Sequence, residues 1–517
     1  MNRNHTLNNG RKEIFTDLIP NGNLEHDEKI IPKILDEALN IHNENKEDAS
    51  LLKDYYYNKT EIEYKTKTQQ ASINNKIGIP YANVAVTTIN SYCFSTPFTR
   101  NSRSSDENVT NMIKAFNDAL DDDSYDSKTA EAEFNAGVSG LGYKYIRPAT
   151  AEEQSNGIWF KTVGDLDPER TLCVKANTID KPKVLACTYF NRKSYDAETL
   201  EFKEETVYNV YTQYHYWIFI KGGSDNNYTI EKQLVDNKIE KAYPLPYRRI
   251  PIIEYPRKQD RTGDFEIGKS IIDSINNLAS SRVDDVQQAV DYILLLRDIA
   301  TDSKEDLEAI TKAVSKGILS FKSIQGAIVQ PEVKVLDTKI NQSEVQTLQD
   351  FLGKKCEEAL NIPNRETRGS SGDTGTAVEN RAGFRSLENI AGLITLSAIK
   401  AETEALETIL AICKSMNGCP FANLQIKDIQ IKANRNKVEN ITTASNAYST
   451  LISAGMNDED ALSVTQIVAD PIGVANKNKK AREEAEQKAL ELAKAESNNS
   501  KQETSKEEST TDSSSEE

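Results

Sequence analysis

The sequence predicts an α+β fold that is predominantly helical, because its apolar residues follow different spacings in different parts of the chain. Between Trp159 and Pro256, short segments rich in β-branched and aromatic residues alternate as strands do, which predicts a largely antiparallel β region. Before and after that region, apolar residues recur every three to four positions, as in helices. At 517 residues, the chain is long enough for more than one hydrophobic core.

The helical spacing defines the expected elements in chain order. The first helix, over 27–57, places Ile30, Ile34, Ala38 and Ile41 on one face. Further helices are predicted over 107–137, 266–298, 303–315, 341–361, 376–416 and 437–495, with short strands at GILSF, EVKVL and NLQIKDIQIKA. Residues 497–517 contain no apolar side chain, and we expect that tail to be disordered.

Composition excludes several classes of function. No apolar run reaches the roughly 18 residues that a membrane span needs, and the N-terminus has no apolar stretch of signal-peptide length. We therefore expect folding in a cytoplasm and no membrane contact. The six cysteines are scattered and the four histidines form no ligand pattern, so no metal site and no cofactor are predicted. A net charge of −17 argues against a protein that grips DNA tightly.

Residues 263–270, GDFEIGKS, match the phosphate-binding pattern G-x-x-x-x-G-K-[ST]. A working phosphate loop follows a buried strand directly and uses small residues, so that backbone N–H groups converge on the phosphate. Here RKQDRT separates the motif from the preceding strand, and Asp264 and Glu266 place carboxylates where phosphates would lie. We interpret the motif as a helix start, with Asp264 as N-cap, Glu266 in the first turn and Lys269 exposed. The alternative is a nucleotide-binding enzyme.

A second motif, Asp373-Thr374-Gly375, is the tripeptide of aspartic proteases. In those enzymes two copies of the motif each supply an aspartate, and the two aspartates share one proton. The chain has no second copy, and no apolar strand precedes this one. We interpret it as a loop in which Asp373 or Thr374 caps the next helix, and we predict no catalytic residue.

Several segments together identify a pattern that no single motif establishes. The most specific is RIPIIEYPRKQDRTGDFEIGKSIIDSINNLASSRVDDVQQAVDYILLL, a Pro-flanked strand followed by Gly-Asp-Phe-Glu and a long helix. The others are YYYNKTEI, NNKIGIPYANVAVTTINSYCFSTPF, AEFNAGVSGLGYKYIRP and EEALNIPNRETRGSSGDTGTAVENRAGFRSLEN. In this order, over nearly the whole chain, they resemble the portal proteins of long-tailed, siphovirus-type, double-stranded DNA bacteriophages. The chain departs from the family pattern at Asn58 and at Thr374-Gly375-Thr376-Ala377.

The resemblance implies a cyclic ring of about twelve subunits around a central channel. It implies a wing at 1–262, a first stem helix at 263–300, a clip at 301–340 and a second stem helix at 341–362. A channel loop at 363–376, a long wing helix and strand at 377–436, a crown at 437–496 and a disordered acidic tail at 497–517 would follow.

The resemblance also implies a function and partners. The ring would sit at the unique capsid vertex of the virion after assembly in the bacterial cytoplasm, as a conduit for packaging and ejecting double-stranded DNA. Its partners would be copies of itself, the DNA, the large terminase, a head-completion or connector protein, and the major capsid and scaffolding proteins. The alternative within this class is a viral structural connector without a DNA channel.

A conduit must let DNA slide, and tight binding of phosphates by many cations would stop it. Net acidity keeps the channel mildly repulsive, whereas a few cations on the channel loop can touch the DNA backbone in passing. The candidate channel residues are Arg365, Arg368, Ser370, Ser371, Asp373 and Thr374. The other interpretation is a solvated loop with helix-flanking charges.

Overall fold

The structure, a computed structural model, describes the chain between residues 7 and 507 with internal gaps. The described ranges are 7–67, 72–104, 106–196, 201–222, 227–235, 238–290, 294–297, 304–305, 308, 312, 332–335, 342–363, 383–435, 441–465, 467–468 and 471–507. Contacts divide the chain into two compact units. We call residues 1–3, 49–88 and 263–390 the first unit, and residues 4–48, 89–262 and 391–517 the second unit.

Helices dominate the described residues, as expected from the spacing. They are Leu24–Tyr56 (α1), Tyr81–Phe94 (α2), Glu107–Asp122 (α3), Tyr125–Ser139 (α4), Ala151–Ser155 (α5), Lys269–Val290 (α6), Gln342–Ala359 (α7), Phe384–Lys414 (α8), Ile441–Ser453 (α9), Asp458–Thr465 (α10) and Pro471–Glu507 (α11). Short 3-10 turns lie at Glu61–Tyr64, Glu266–Gly268 and Ile426–Asp428.

The strands form one large sheet and several small ones. They are Ile14–Thr16 (β1), Thr99–Ser102 (β2), Leu141–Pro148 (β3), Phe160–Val163 (β4), Thr171–Ala176 (β5), Lys183–Asp196 (β6), Glu201–Thr212 (β7), His215–Lys221 (β8), Tyr228–Ile230 (β9), Gln233–Val235 (β10), Lys238–Glu240 (β11), Ala242–Pro244 (β12), Ile252–Pro256 (β13), Leu294–Arg297 (β14), Glu332–Val335 (β15) and Ile429–Lys432 (β16). The large sheet has the order β1-β5-β6-β7-β8-β12, with β9 also on β8, and a three-stranded sheet has the order β13-β3-β4. Strands β10–β11, β14–β15 and β2–β16 form pairs. All pairs are antiparallel except β1 with β5, which confirms the predicted antiparallel β region.

In the second unit, α1 contributes one face to the core of the large sheet. Ile34 and Ala38, from the predicted apolar face, are buried there with Trp217 and Phe219 of β8. The alternating pattern of β8 places these two aromatic rings on the same side of the sheet, 5.9 Å apart. The large aromatic surfaces removed from water supply much of the hydrophobic stabilisation of this layer.

A second core in this unit contains the three-stranded sheet together with α3, α4 and the C-terminal part of α8. Phe116 of α3 contacts Phe421 with a ring distance of 5.3 Å, and Ile409 of α8 is buried beside them. Gly142 of β3 lets the strand approach α4, because a Cβ there would lie 1.8 Å from the carbonyl oxygen of Ala132. Only glycine fits at that contact.

A buried ion pair crosses this second core. Lys144 of β3 lies 2.9 Å from Glu402 of α8, and Tyr255 of β13 donates a hydrogen bond to the same carboxylate at 2.6 Å. Burial acts to raise the pKa of Glu402, but Lys144 and Arg100 outweigh it and hold that pKa at about 2. Because both charges are fully buried, removal of one partner would leave the other uncompensated.

The helix predicted over 266–298 is shorter than expected. Within the described residues it ends at Val290, and Leu294–Arg297 is a strand, β14, paired with β15. The prediction of one continuous helix over 266–298 is therefore wrong, and residue 298 itself lies outside the described residues. A short apolar run fits a buried helix or a strand equally well, and the antiparallel partner at the predicted strand EVKVL decided the outcome.

Two other predicted helices are divided. The segment 107–137 forms α3 and α4, because Ser124 adopts a left-handed φ of 54° between them. The stretch 437–495 forms α9, α10 and α11, and α11 continues to Glu507, into the tail predicted to be disordered. Adding residues to an existing helix avoids the cost of nucleation, so Lys, Gln and Glu continue it without an apolar face. Residues 508–517 lie outside the described ranges.

Candidate stem and channel site

The predicted channel residues Arg365, Arg368, Ser370, Ser371, Asp373 and Thr374 lie outside the described residues. The residues that flank the gap are described. A Cβ added to Gly383 would lie 3.8 Å from the Cα of Pro363, and Gly383 has a φ of +82°. The chain therefore leaves α7 and enters α8 at neighbouring points. In the predicted clip, 301–340, the structure describes β15 and four other residues, 304, 305, 308 and 312, which are helical.

The GDFEIGKS motif forms a tight turn that leads into α6. Gly263 donates its N–H to the carboxylate of Glu266 at 2.8 Å, so the motif's own acid takes the first backbone donor. Phe265, not the predicted Asp264, occupies the N-cap position of the 3-10 turn Glu266–Gly268. A Cβ on Gly268 would lie 2.6 Å from Leu360, so this glycine allows α6 to approach the end of α7. The preceding strand β13 belongs to an antiparallel sheet.

Lys269 lies in a cluster of polar side chains at the start of α6. Its ammonium contacts Glu61 at 2.6 Å and Asp273 at 3.0 Å, and it lies 4.8 Å from the centre of the Tyr55 ring. Burial opposes the charge of Lys269, but the hydrogen bonds to Glu61 and Asp273 raise its pKa. The prediction of an exposed Lys269 is wrong, because the side chain is mostly covered and paired with two carboxylates.

One face of α6 carries a row of polar side chains that bind the extended segment 72–80. Asn276 is fully buried, and its amide oxygen accepts the N–H of Ile79 at 2.8 Å while its NH₂ donates to Thr60 at 3.2 Å. Ser280, one turn further on, accepts the N–H of Ile77 at 2.9 Å. The spacing of four residues places both side chains on the same face of the helix.

Asp284 continues the row by one more turn. Its carboxylate accepts the N–H of Asn75 at 2.7 Å and an ammonium hydrogen of Lys65 at 2.8 Å. Lys67 lies 3.3 Å from it. Burial acts to raise the pKa of Asp284, but the hydrogen bonds from Lys65 and Asn75 outweigh it and place that pKa well below its usual value. We call Asn276, Ser280 and Asp284 the polar row.

The helices α6 and α7 pack against each other in opposite directions. Gly268, just before α6, meets Leu360, just after α7, while Arg282 further along α6 donates to Gln346 and Gln349 near the start of α7. The antiparallel β14–β15 pair lies between the two helices in sequence. The first unit therefore contains a helical hairpin at the positions predicted for the two stem helices.

Apolar side chains remain exposed on both helices of this hairpin. They are Val283 and Val286 of α6 and Leu348 and Phe351 of α7, and we call them the seam surface. Val286 is 53% exposed and Phe351 is 55% exposed. Both lie close in sequence to residues that join the two helices, because Val286 follows Arg282 by four residues and Phe351 follows Gln349 by two. Exposed apolar residues that lie together mark surfaces that contact another protein, so this hairpin is a candidate for such a contact.

Chemical sites are scarce in the parts of the chain that the structure describes. No group of three or more His, Cys, Asp or Glu side chains there could hold a metal ion. No described helix is both long enough and apolar enough to span a membrane.

The family model for phage portal proteins of the SPP1 Gp6-like type matches residues 35–500. This match covers most of the sequence, and the chain belongs to that family. It is therefore a bacteriophage structural protein of the portal, at the connection of head and tail, and the predicted resemblance is confirmed. The siphovirus type predicted from the sequence is consistent with this family.

Among solved structures, a chain described as "Neck of empty GTA particle computed with C6 symmetry" matches this chain. It is 11% identical, with a TM-score of 0.41, and the match covers 75% of this chain and 90% of that chain. No curated protein matches this chain.

The sequence interpretation missed the polar row and the role of Lys269. A signal was present, because Asn276, Ser280 and Asp284 recur at intervals of four residues in an amphipathic helix. Such a spacing predicts a polar face, but it does not say whether the face meets solvent or a buried loop.

Proposed function

We propose that this portal protein forms a closed ring of about twelve subunits at the unique capsid vertex and conducts double-stranded DNA during packaging and ejection. The observation that carries the proposal is the match of the portal family over residues 35–500. The ring would also be the docking platform for the large terminase during packaging and for a head-completion or connector protein afterwards. It would contact the major capsid and scaffolding proteins during assembly in the host cytoplasm.

The helical hairpin of the first unit supports a ring. In a cyclic ring each subunit presents one surface to its neighbour on one side and a different surface on the other side. The seam surface leaves Val283, Val286, Leu348 and Phe351 exposed in the single chain, where water contact with apolar groups is unfavourable. A neighbouring subunit that covers these residues would remove that surface from water.

Within this proposal, we retain the division of regions expected from the family. The wing takes residues 1–262, the stem helices lie in 263–300 and 341–362, and the clip lies in 301–340. The channel loop takes 363–376, the wing helix and strand 377–436, and the crown 437–496. The compact units group residues 49–88 with 263–390, so part of the N-terminal segment supports the stem through the polar row.

The chain itself would consume no nucleotide in this function. The portal family is a structural family, and the motif that resembles a phosphate loop has its first N–H bonded to Glu266 and its lysine bonded to Glu61 and Asp273. The energy for packaging would come from ATP hydrolysis by the terminase.

The ring is tested by electron microscopy of the purified chain and of the double variant Val286→Glu, Phe351→Glu. We expect annular particles with an open centre for the unchanged chain. Two buried, unpaired carboxylates at each contact should weaken subunit association by about 100-fold or more, which shifts the variant toward monomers. The matched control is Ile179→Glu, since Ile179 is 103% exposed and lies in a turn.

The outcomes separate the alternatives. A monodisperse monomer for the unchanged chain would contradict the ring, and rings with a closed centre would favour a connector without a channel. Rings of unchanged stability in the double variant would show that the seam surface is not the subunit contact.

A further inference from the structure

Four Asn-Gly pairs occur in the chain, at residues 9–10, 21–22, 156–157 and 417–418. Asparagine is a chemically labile residue, and it deamidates most readily before glycine. The backbone nitrogen of the glycine attacks the carbonyl carbon of the asparagine side chain, and glycine has no Cβ to shield that nitrogen. All four pairs have the same local chemistry, so their surroundings in the fold decide which one reacts.

Three of the pairs have a glycine that is held in place. Gly10 is buried, and a Cβ there would lie 1.9 Å from a backbone carbonyl oxygen. Gly22 donates its N–H to the carboxylate of Asp27 at 3.0 Å. Gly157 is exposed, but its N–H donates to the carbonyl oxygen of Gln154 at 3.0 Å. Each of these contacts must open before the nitrogen can attack.

The fourth pair lies in the turn that follows α8, which ends at Lys414. Asn417 and Gly418 are both exposed, and neither makes a hydrogen bond within the described part of the chain. Gly418 has a φ of +83°, and a Cβ there would meet only a ring carbon of Trp159, at 3.9 Å. The side-chain amide of Asn417 can therefore rotate toward the Gly418 nitrogen, and that nitrogen has no hydrogen bond to break first.

We propose that Asn417 is a site of spontaneous deamidation. The backbone nitrogen of Gly418 loses its proton to water or hydroxide and forms a bond to Cγ of Asn417. The C–N bond of the side-chain amide breaks, and its nitrogen takes up a proton and leaves as ammonia. Water then opens the resulting succinimide ring. Opening at Cγ gives aspartate and opening at the main-chain carbonyl gives isoaspartate, so one water is consumed and one ammonia is released.

The modification changes a turn that is tied to the second core of the second unit. Phe421, four residues after Asn417, is 1% exposed, and its ring lies 5.3 Å from that of Phe116. Isoaspartate adds one carbon to the main chain between α8 and Phe421, which should loosen this packing. The inference rests on the fold of the second unit, and it holds whether or not the chain forms a ring.

The test is incubation of the native full-length chain at mildly alkaline pH, followed by tryptic digestion and mass spectrometry. Asn417 lies in peptide 415–427, and Asn156 lies in peptide 145–161, since trypsin does not cleave before proline. We expect conversion to be about fivefold faster at Asn417 than at Asn156, the effect of one hydrogen bond that must open first. Fragment spectra distinguish Asn417 from Asn423 in the same peptide, and a sample digested without incubation corrects for conversion during the digest.

Unfolding separates the effect of the fold from that of the sequence. In denaturant the hydrogen bonds of Gly22 and Gly157 are absent, so all four pairs should convert at similar rates. Asn417→Gln should abolish conversion at this position, because glutamine would have to close a larger ring, whereas Asn156→Gln should leave the rate at Asn417 unchanged. Equal rates at Asn417 and Asn156 in the native chain, faster conversion at any other Asn-Gly pair, or a preference for Asn417 that persists in denaturant would overturn the proposal.

Discussion

His42 illustrates how burial sets the chemistry of a single residue. The ring is 2% exposed, its Nε2 lies 3.2 Å from the carbonyl oxygen of Glu169, and it meets the Tyr189 ring edge-on at 5.8 Å. Since the carbonyl can only accept, Nε2 carries the proton in the neutral ring. Burial, with the nearby positive charge of Lys46, lowers the pKa of His42 to about 4, whereas the hydrogen bond to Glu169 acts in the opposite direction.

The first prediction concerns stability against pH. The folded pKa of His42 is below its unfolded value, so protonation favours the unfolded chain. The contribution is complete above pH about 6.5 and is lost as the pH falls toward 4, with a total of about 3 kcal/mol. We expect the free energy of unfolding of this part of the chain to drop by about 1 kcal/mol from pH 7 to 5.5 through this residue.

Denaturant unfolding at the two pH values, with the same protein concentration, measures this drop. The control His42→Gln cannot titrate but retains an N–H that can reach the Glu169 carbonyl. Its unfolding free energy should change less over this pH interval. Equal pH dependence in both proteins would exclude His42 as the titrating group.

At the scale of elements, the polar row explains how a helix can hold an irregular segment. Residues 75–79 present backbone N–H groups that no strand or helix pairs, and buried donors without partners are costly. Asn276, Ser280 and Asp284 satisfy three of these donors, at Ile79, Ile77 and Asn75. The helix thereby fixes the path of the segment that leads into α2.

In the second unit, a buried ion pair joins a strand to a helix. Lys144 and Glu402 link β3 to α8, and Thr129 of α4 donates to the same carboxylate at 3.1 Å. Each partner is costly to bury alone, so removal of either Lys144 or Glu402 should destabilise this core.

The second prediction tests the polar row with two adjacent asparagines. Asn276→Ala removes the acceptor of the Ile79 N–H and should destabilise the folded chain by about 1–3 kcal/mol. Asn277→Ala is the matched control, because Asn277 is exposed on the same turn of α6. Its change in unfolding free energy should stay within about 0.5 kcal/mol.

Hydrogen exchange locates the effect. The Ile79 amide should lose protection in Asn276→Ala and keep it in Asn277→Ala. Unchanged protection of that amide in Asn276→Ala would mean that another group holds the segment.

At the scale of the whole molecule, charge is the property most relevant to a DNA conduit. The chain carries a net charge of −17, and the proposed ring would multiply this charge around its axis. In the proposed conduit, this repulsion would keep DNA from binding tightly, and Arg365 and Arg368 on the proposed channel loop would provide a small number of cations for passing contacts.

The third prediction concerns these arginines in the assembled phage. The double substitution Arg365→Ala, Arg368→Ala should leave rings intact, as seen by electron microscopy, and should change the amount of DNA packaged or retained per particle. The control Lys414→Ala, Lys427→Ala removes two exposed positive charges elsewhere and should not alter packaging. Normal packaging and retention in the arginine variant would show that these residues are dispensable.

The sequence predicted the parts of the fold that depend on long, regular spacing. The β region over 159–256, the first helix with Ile34 and Ala38 inside, and the strand at EVKVL are all confirmed. The family was predicted from the order of several motifs, and no single motif was enough to predict it. The family match confirms this prediction. The candidate channel residues were also named from sequence, and they stay a prediction.

Sequence alone determined that this chain is a largely helical portal protein, because periodicity and motif order are properties of the chain itself. Tertiary structure alone decided that Leu294–Arg297 is a strand, that Lys269 is paired with Glu61 and Asp273, and that α6 binds the segment 72–80. These outcomes depend on partners distant in sequence, and local spacing carries no information about which distant group fills a hydrogen bond or covers a face.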